Sequence, residues 1–223
     1  MRGYRIHPFT ILFYIKAGAS YMTEKIAPVD VAIHRLLAGR WSPRSMSGKL
    51  IEREQLHQVL EAARWAPSAY NMQPWRFLIL DRCVDESAFQ LALSTLVPFN
   101  QQWNAEVPVL ICVAANTLTA KGDVNHTATY DAGAAAMCLM LQAHALGLAA
   151  HAMSGFNHDA FRDAFAIPAH VELIAIISLG HFGDPGRLAD KLRERELAPR
   201  ERLSLADIAY EGAWERSFAR SQP

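Results

Sequence analysis

The sequence has no excess of charge of either sign, because 22 Lys and Arg residues balance 22 Asp and Glu residues over 223 positions. Its overall charge therefore gives no attraction to nucleic acid or to an anionic membrane. Cysteine is scarce: Cys83, Cys112 and Cys138 are odd in number and widely spaced. That pattern excludes a disulfide framework and a zinc-binding motif, and it favours a reducing cytoplasm.

The sequence also lacks the motifs of several enzyme classes. It has no Gly-x-Gly-x-x-Gly fingerprint, no P-loop and no serine nucleophile elbow. Its nine histidines form no His-x-x-x-His pair, and the polar loops carry no paired carboxylates for acid–base work. A chain with so few catalytic groups either binds a ligand without turnover or relies on a cofactor for its chemistry.

Length and hydrophobicity predict one domain with a substantial core, since 51% of the 223 residues are hydrophobic. The N-terminus carries an apolar run, residues 8–15, after Arg2 and Arg5. This run is too short for a membrane span and is followed by no convincing cleavage site. We predict that residues 1–28 are an extension outside the domain, with an ordinary start at Met22, and that residues 29–223 form the domain.

Hydrophobic periodicity predicts alternating helices and strands. The predicted helices cover residues 29–37, 51–65, 87–96, 127–146, 159–165 and 204–214. The predicted strands cover residues 75–80, 107–115, 148–153 and 171–179. Residues 187–195 are expected to be charged and exposed. The helix over 127–146 is apolar on nearly every face, which predicts a place in the core or at a subunit interface.

A polar, uncharged turn over residues 67–73 joins a helix to a core strand. Pro67 ends the helix, because the residue before a proline is pushed out of the α region. Ser68, Asn71 and Gln73 supply donors and acceptors that suit the edge of a flat heteroaromatic ligand. An ordinary helix–strand connection is the simpler interpretation.

Arginines recur in alternation at two distant places. Arg40, Ser42 and Arg44 would project from one side of an extended segment, and Arg200 and Arg202 repeat the pattern late in the chain. Paired guanidinium groups bind phosphate well, although a solvated basic turn is the usual meaning of such a short pattern. A phosphate site combined with a heteroaromatic site describes a mononucleotide, and a flavin fits well.

The chain resembles the FMN-dependent nitroreductases over roughly residues 33–214. The longest match is Ala-Pro-Ser-x-x-Asn-x-Gln-Pro-Trp at residues 66–75. The early and late arginine pairs are similar to the phosphate-binding segments of that family. Asn100, in an Asn-x-x-Trp motif, resembles the family residue at the pyrimidine edge of the flavin, and residues 153–156 resemble the loop over the ring near N5.

The resemblance implies an α+β fold of the nitroreductase type, with a central mixed β-sheet flanked by helices. It also implies an intertwined homodimer with two FMN sites, in which one chain supplies the Arg40 side and the other supplies the turn. The cofactor-binding residues it implies are Arg40, Trp41, Ser42, Arg44, Pro67, Ser68, Ala69, Asn71, Gln73, Asn100, Met153, Ser154, Gly155, Arg200 and Arg202. Tyr70 is bulky where the family commonly has small residues, which implies that it walls the substrate site.

The activity implied is that of a cytoplasmic NAD(P)H-dependent flavin oxidoreductase with no metal, nucleic acid or membrane partner. NADH or NADPH would pass hydride to flavin N5, and a nitroaromatic, quinone or enone would then take the electrons in a ping-pong sequence. No protein side chain would be catalytic, because FMN carries the chemistry. The alternatives are a specialised relative, such as a dehalogenase or a dehydrogenase, and a protein that stores or senses flavin without turnover.

Two departures from the family pattern concern the substrate more than the flavin. Many relatives carry an acidic residue or glycine where this chain has Ser154, and a basic residue is common where it has Trp41.

Overall fold

A computed structural model of the protein describes residues 25–218, in which one β-sheet is covered by helices on both faces. The strands are β1 (Met46–Ser47), β2 (Trp75–Asp81), β3 (Val109–Asn116), β4 (Leu148–Met153) and β5 (Val171–Phe182). The helices are α1 (Arg35–Gly39), α2 (Arg53–Arg64), α3 (Glu86–Thr95), α4 (Pro98–Asn104), α5 (Ala128–Ala145), α6 (His158–Ala164), α7 (Asp190–Leu197) and α8 (Leu205–Ile208). The predicted α+β architecture is confirmed.

Strand β5 lies at the centre of the sheet. Its edges pair with β3 and β4, its C-terminal end also pairs with β1, and β2 pairs with the outer edge of β3. All of these pairings are antiparallel, so the expected mixed sheet was wrong for the described strands. Helix α5 does carry the chain between two strands of the same direction, β3 and β4. No parallel pair forms because β5 lies between them.

The sheet separates two apolar clusters. Side chains alternate across a strand, so Ile111 of β3 packs toward α2 and α5 while its neighbour Cys112 packs toward the opposite face. That opposite face is covered by α3, α4 and α6, which contribute Phe89, Trp103 and Phe161. The result is a three-layer arrangement, with helices on both faces of the sheet.

Three predicted segments differ from the structure. The first helix is α1 at Arg35–Gly39 rather than residues 29–37, since Val29 and Ile33 remain exposed and give that stretch no packed face. The last predicted helix shrinks to α8, and Gly212 adopts a left-handed φ of 76° beyond it. The segment expected to be only charged and exposed contains α7, which buries Leu192 and Glu196.

Helix α5 buries one face against the sheet and leaves the other half-exposed. The buried face includes Ala132, Ala135 and Leu139, whereas Met137 and Leu141 on the opposite face are only partly covered. None of the helices within residues 25–218 combines the length and apolar character needed to cross a membrane.

Residues 1–24 of the predicted extension lie outside the described residues. Lys25 and Ala27 make hydrogen bonds to the rest of the structure, from Lys25 Nζ to Ala198 O at 2.6 Å and from Ala27 N to Ala38 O at 2.9 Å. The extension and its boundary therefore stay predictions.

Candidate functional site

The two arginine segments predicted to act together do meet in the structure. The Arg200 guanidinium donates to Arg40 O at 2.9 Å and to Ala38 O at 2.6 Å, across 160 positions of sequence in the first case. Burial lowers the pKa of the Arg40 guanidinium, and the neighbouring charges of Arg200 and Arg202 lower it further. We call residues 40–44 together with Arg200 and Arg202 the arginine half-site.

A buried carboxylate that the sequence analysis missed fixes the end of this segment. Glu196 of α7 is only 1% exposed, and it accepts from the main-chain N–H of Arg44 at 2.9 Å and of Ser45 at 3.0 Å. The Ser45 hydroxyl donates to the same carboxylate at 2.6 Å. The available signal was spacing, because Glu196 follows the apolar Leu192 by four residues and so lies on the same helix face.

A histidine and a tryptophan form the wall behind the arginine half-site. The His151 ring lies 4.7 Å from the Trp103 ring, and its Nδ1 lies 3.0 Å from Pro43 O. Burial lowers the pKa of His151 to about 4, and the Arg44 guanidinium acts in the same direction. The imidazole is therefore neutral near pH 7, with the Nδ1 proton donated to the Pro43 carbonyl.

Two buried N–H groups beside this wall lack hydrogen-bond partners within the described part of the chain. They are Nε1 of Trp103, a residue 5% exposed, and Nε of Arg44. Both residues line a cavity of about 140 Å³, whose lining also includes Glu106, Asp184 and Arg187. Unpaired buried donors are uncommon and costly, so these two favour a ligand that presents acceptor atoms. The cavity is smaller than the roughly 300–1,000 Å³ of a typical cofactor site.

Asn100 is joined to the loop that follows β4. Its side-chain amide donates to Gly155 O at 3.0 Å, and the main-chain N–H of Val97 donates to the same carbonyl at 3.1 Å. A Cβ at residue 155 would lie 2.8 Å from Asn100 Nδ2, so only glycine permits this approach. Met153 is reached by the neighbouring Asn104, whose amide lies 3.3 Å from its sulfur.

The polar turn, residues 67–73, has an unusual backbone, and we call it the ring-edge loop. Tyr70, Asn71 and Gln73 have φ values of 51°, 55° and 47°, which are left-handed conformations that cost energy in non-glycine residues. Tyr70 is 98% exposed. The turn is closed by a hydrogen bond of 3.1 Å from Gln73 N to the Ser68 hydroxyl.

A second buried carboxylate, also missed from the sequence, holds the ring-edge loop. Asp131, 3% exposed in the first turn of α5, accepts from Ala69 N at 3.2 Å and from the Thr127 hydroxyl at 3.0 Å. In the sequence, Asp131 interrupts a helix that is otherwise apolar on nearly every face. A charged residue retained within such a helix was the signal that it has a specific partner.

The arginine half-site and the ring-edge loop lie at opposite ends of α5 within one chain. The loop is bonded to Asp131 near the start of the helix, whereas Gly39 packs against His144 near its end, where a Cβ on residue 39 would lie 2.7 Å from the imidazole Nε2. At 1.5 Å per residue, Asp131 and His144 are about 20 Å apart along the helix. The predicted residues therefore form two groups rather than one site: the arginine half-site with Asn100 and residues 153–155 on the β4 side, and the loop.

The donor set of these groups fits an FMN. Guanidinium groups match a phosphate, and unpaired N–H donors with side-chain amides match the acceptor-rich edge of an isoalloxazine ring. By contrast, no three His, Cys, Asp or Glu side chains converge as a metal site within residues 25–218.

The chain is similar in sequence and fold to known proteins. A sequence profile of the nitroreductase family matches residues 37–181. A solved structure described as an oxidoreductase containing FMN is 36% identical, with a TM-score of 0.79 over 84% of this chain and 96% of that one. An uncharacterised 15.4 kDa protein of Mycolicibacterium smegmatis is 40% identical over 47% of this chain and 70% of its own. A 4-nitrobenzoate reductase of Nocardioides sp. is 26% identical over 81% of this chain and 92% of its own.

Proposed function

The chain belongs to the nitroreductase family, and we propose that it is an FMN-dependent NAD(P)H oxidoreductase whose site is shared between two copies of the chain. Two observations carry this proposal: Arg44 Nε and Trp103 Nε1 are buried without a partner among the described residues, and the two arginine segments meet where Arg200 donates to Arg40 O. The similarity to an FMN-containing oxidoreductase supports the choice of flavin.

The arginine half-site would hold the FMN phosphate. Arg40, Ser42, Arg200 and Arg202 supply the charged and hydroxyl donors, and each charge-assisted hydrogen bond contributes about 1.5–3 kcal/mol. Trp41 occupies a position that is commonly basic in the family, so here a ring covers this end of the site. The Lys25 ammonium lies 4.7 Å from the centre of that ring. It supplies a positive charge near the position where relatives commonly have a basic residue.

The ring would lie between the two separated groups. Asn100, Met153, Ser154 and Gly155 belong to the chain that holds the phosphate, with main-chain N–H groups of the 154–155 loop donating to ring acceptors. The partner's ring-edge loop would close the other edge with Pro67, Ser68, Ala69, Asn71 and Gln73. Since the loop is bonded to Asp131 and the arginine half-site follows Gly39 at His144, about 20 Å away along α5, a homodimer is the arrangement that brings them together.

The half-exposed apolar face of α5 and the exposed C-terminal segment support a dimer. Met137 and Leu141 face away from the sheet, and Leu203, Ile208 and Trp214 expose more than half of their surface. Exposed apolar side chains in such numbers favour an interface.

When bound, FMN would supply hydride transfer at its N5 between NADH or NADPH and a small-molecule acceptor, such as a nitroaromatic, a quinone or an enone. The protein contributes orientation and fixed donors rather than a nucleophile or base. Ser154 places a neutral hydroxyl where many relatives have a carboxylate. Tyr70 extends from the loop as a wall for the acceptor, and the 4-nitrobenzoate reductase among the relatives makes nitroaromatics the first class to test.

The decisive experiment is an absorbance spectrum of the purified protein, followed by anaerobic titration with NADH or NADPH and addition of menadione or 4-nitrobenzoate. We expect a bound flavin spectrum that bleaches with the nicotinamide and returns with the acceptor. Bleaching without onward transfer would favour a flavin sensor. A protein that holds no flavin, even after reconstitution, would contradict the proposal.

A further inference from the structure

We propose that Glu196 is a positioning residue that presets the arginine half-site for a phosphate by binding the main chain of Arg44 and leaving its guanidinium to the ligand. This inference rests on the proposed FMN site and adds a residue that lies outside every motif shared with the family. Its support is geometric, and it begins with how the carboxylate is bound.

The Glu196 carboxylate is fully enclosed by donors from one short segment. Its two oxygens accept from Arg44 N at 2.9 and 3.1 Å, and Oε1 also accepts from Ser45 N at 3.0 Å and from the Ser45 hydroxyl at 2.6 Å. A buried carboxylate is costly unless such bonds satisfy it. Glu196 therefore fixes the backbone at residues 44–45 in one conformation.

The carboxylate is attached to Arg44 through the main chain, although a guanidinium is the stronger donor for a carboxylate. Arg44 also lines the 140 Å³ cavity, and its buried side-chain Nε has no partner within residues 25–218. A guanidinium that remains available while its backbone is clamped is preorganised, and preorganisation reduces the ordering cost of binding an anion.

The same carboxylate connects both arginine segments. Glu196 belongs to α7, which leads directly to Arg200, and its own carbonyl accepts from Lys25 Nζ at 2.5 Å. Arg200 donates in turn to Lys25 O at 2.6 Å. Loss of the Glu196 clamp would thus loosen the segment at residues 40–44 relative to the segment that carries Arg200 and Arg202.

Charge alone predicts the opposite effect of removing Glu196. Neutralising a carboxylate inside a group of cations makes that group more positive and should strengthen phosphate binding. Positioning predicts weaker binding, because the donors become misplaced. The sign of the change therefore separates the two effects.

The test is the affinity of the full-length apoprotein for FMN and for riboflavin, measured by quenching of flavin fluorescence, in the unmodified protein and in Glu196→Gln. The glutamine amide places donors against the N–H groups of Arg44 and Ser45. We expect FMN affinity to fall at least tenfold while riboflavin affinity changes less than twofold. The matched control is Glu194→Gln, which removes the same charge from an exposed position of α7 and should leave both affinities unchanged.

Ser45→Ala provides a milder test that retains the carboxylate and should reduce FMN affinity about threefold without changing riboflavin affinity. If Glu196→Gln does not fold, this variant decides. Stronger FMN binding, equal losses for FMN and riboflavin, or no change in either would overturn the inference. An unmodified protein that binds neither flavin would instead overturn the proposed function itself.

Discussion

The arginine half-site and the ring-edge loop use the same anchoring device for different purposes. In each, one buried carboxylate, Glu196 or Asp131, accepts main-chain N–H groups and fixes a short segment. The arginine half-site is charged, partly buried and joined by contacts between residues far apart in sequence. The ring-edge loop is uncharged, exposed and shaped by its own backbone. Like charges need tertiary structure to be held together, whereas a turn of amides needs only local geometry.

The largest expected effect comes from removing two arginines of the arginine half-site. Arg200→Ala combined with Arg202→Ala removes two phosphate donors and should weaken FMN at least about a hundredfold, because each charge-assisted bond contributes roughly 1.5–3 kcal/mol. Riboflavin affinity should fall far less. The measurement is flavin retained after gel filtration, with exposed Lys191→Ala as the control. Stoichiometric flavin in the double variant would refute the assignment. Because Arg200 also binds three carbonyls, Arg202→Ala alone separates ligand binding from folding.

A smaller effect is expected from the uncharged half. Asn71→Ala should weaken FMN and riboflavin equally, by about tenfold, because it removes an amide hydrogen bond to the ring. Asn71 also has a φ of 55°, which alanine adopts less readily. Asn71→Gly therefore serves as the control, since glycine accepts that conformation but lacks the amide. If only the alanine variant is weakened, the backbone rather than the side chain matters.

Lowering the pH should reduce the free energy of unfolding through His151, which lies behind the arginine half-site. Its folded pKa of about 4 lies below the ordinary value of 6.5, so the unfolded chain binds more protons between these limits. The free energy of unfolding should consequently fall as the pH drops from 6.5 to 4, by at most about 1.4 kcal/mol per pH unit. Urea titrations at several pH values measure this slope. His151→Asn keeps a donor near Pro43 O and should flatten the profile; an unchanged slope would contradict the assignment.

The smallest effect is expected at the tip of the ring-edge loop. Tyr70→Gly removes an exposed ring and relieves a φ of 51°, so flavin affinity should remain within twofold. The KM for bulky nitroaromatic and quinone acceptors should change severalfold, while that for the nicotinamide changes less. Steady-state kinetics with two acceptors of different size test this expectation. Identical kinetic constants for every acceptor would remove Tyr70 from the substrate site.

The sequence predicted the components of the site better than their assembly. Apolar runs located β3 and β5, because such runs depend on local spacing, whereas the phosphate role of Arg40, Ser42 and Arg44 stays a prediction. The buried carboxylates escaped detection, since the role of Glu196 depends on a partner about 150 positions away. The prediction of a mixed sheet was wrong for a similar reason. The position of β5 between β3 and β4 depends on tertiary structure, which local spacing does not reveal. The predicted helix over residues 29–37 was wrong because most of its apolar side chains remain exposed in the described structure.

The 20 Å that separates the ring-edge loop from the arginine half-site along α5 has a consequence for mixed assemblies. In a shared site, each flavin draws its phosphate donors from one chain and its ring-edge amides from the other. A chain disabled in its arginines and a chain disabled in its loop would each be inactive as a homodimer. A dimer of one such chain with the other would have two different pockets. One pocket would combine the defective arginines with the defective loop, and the other would have intact arginines and an intact loop. Two inactive proteins would then complement each other to half activity.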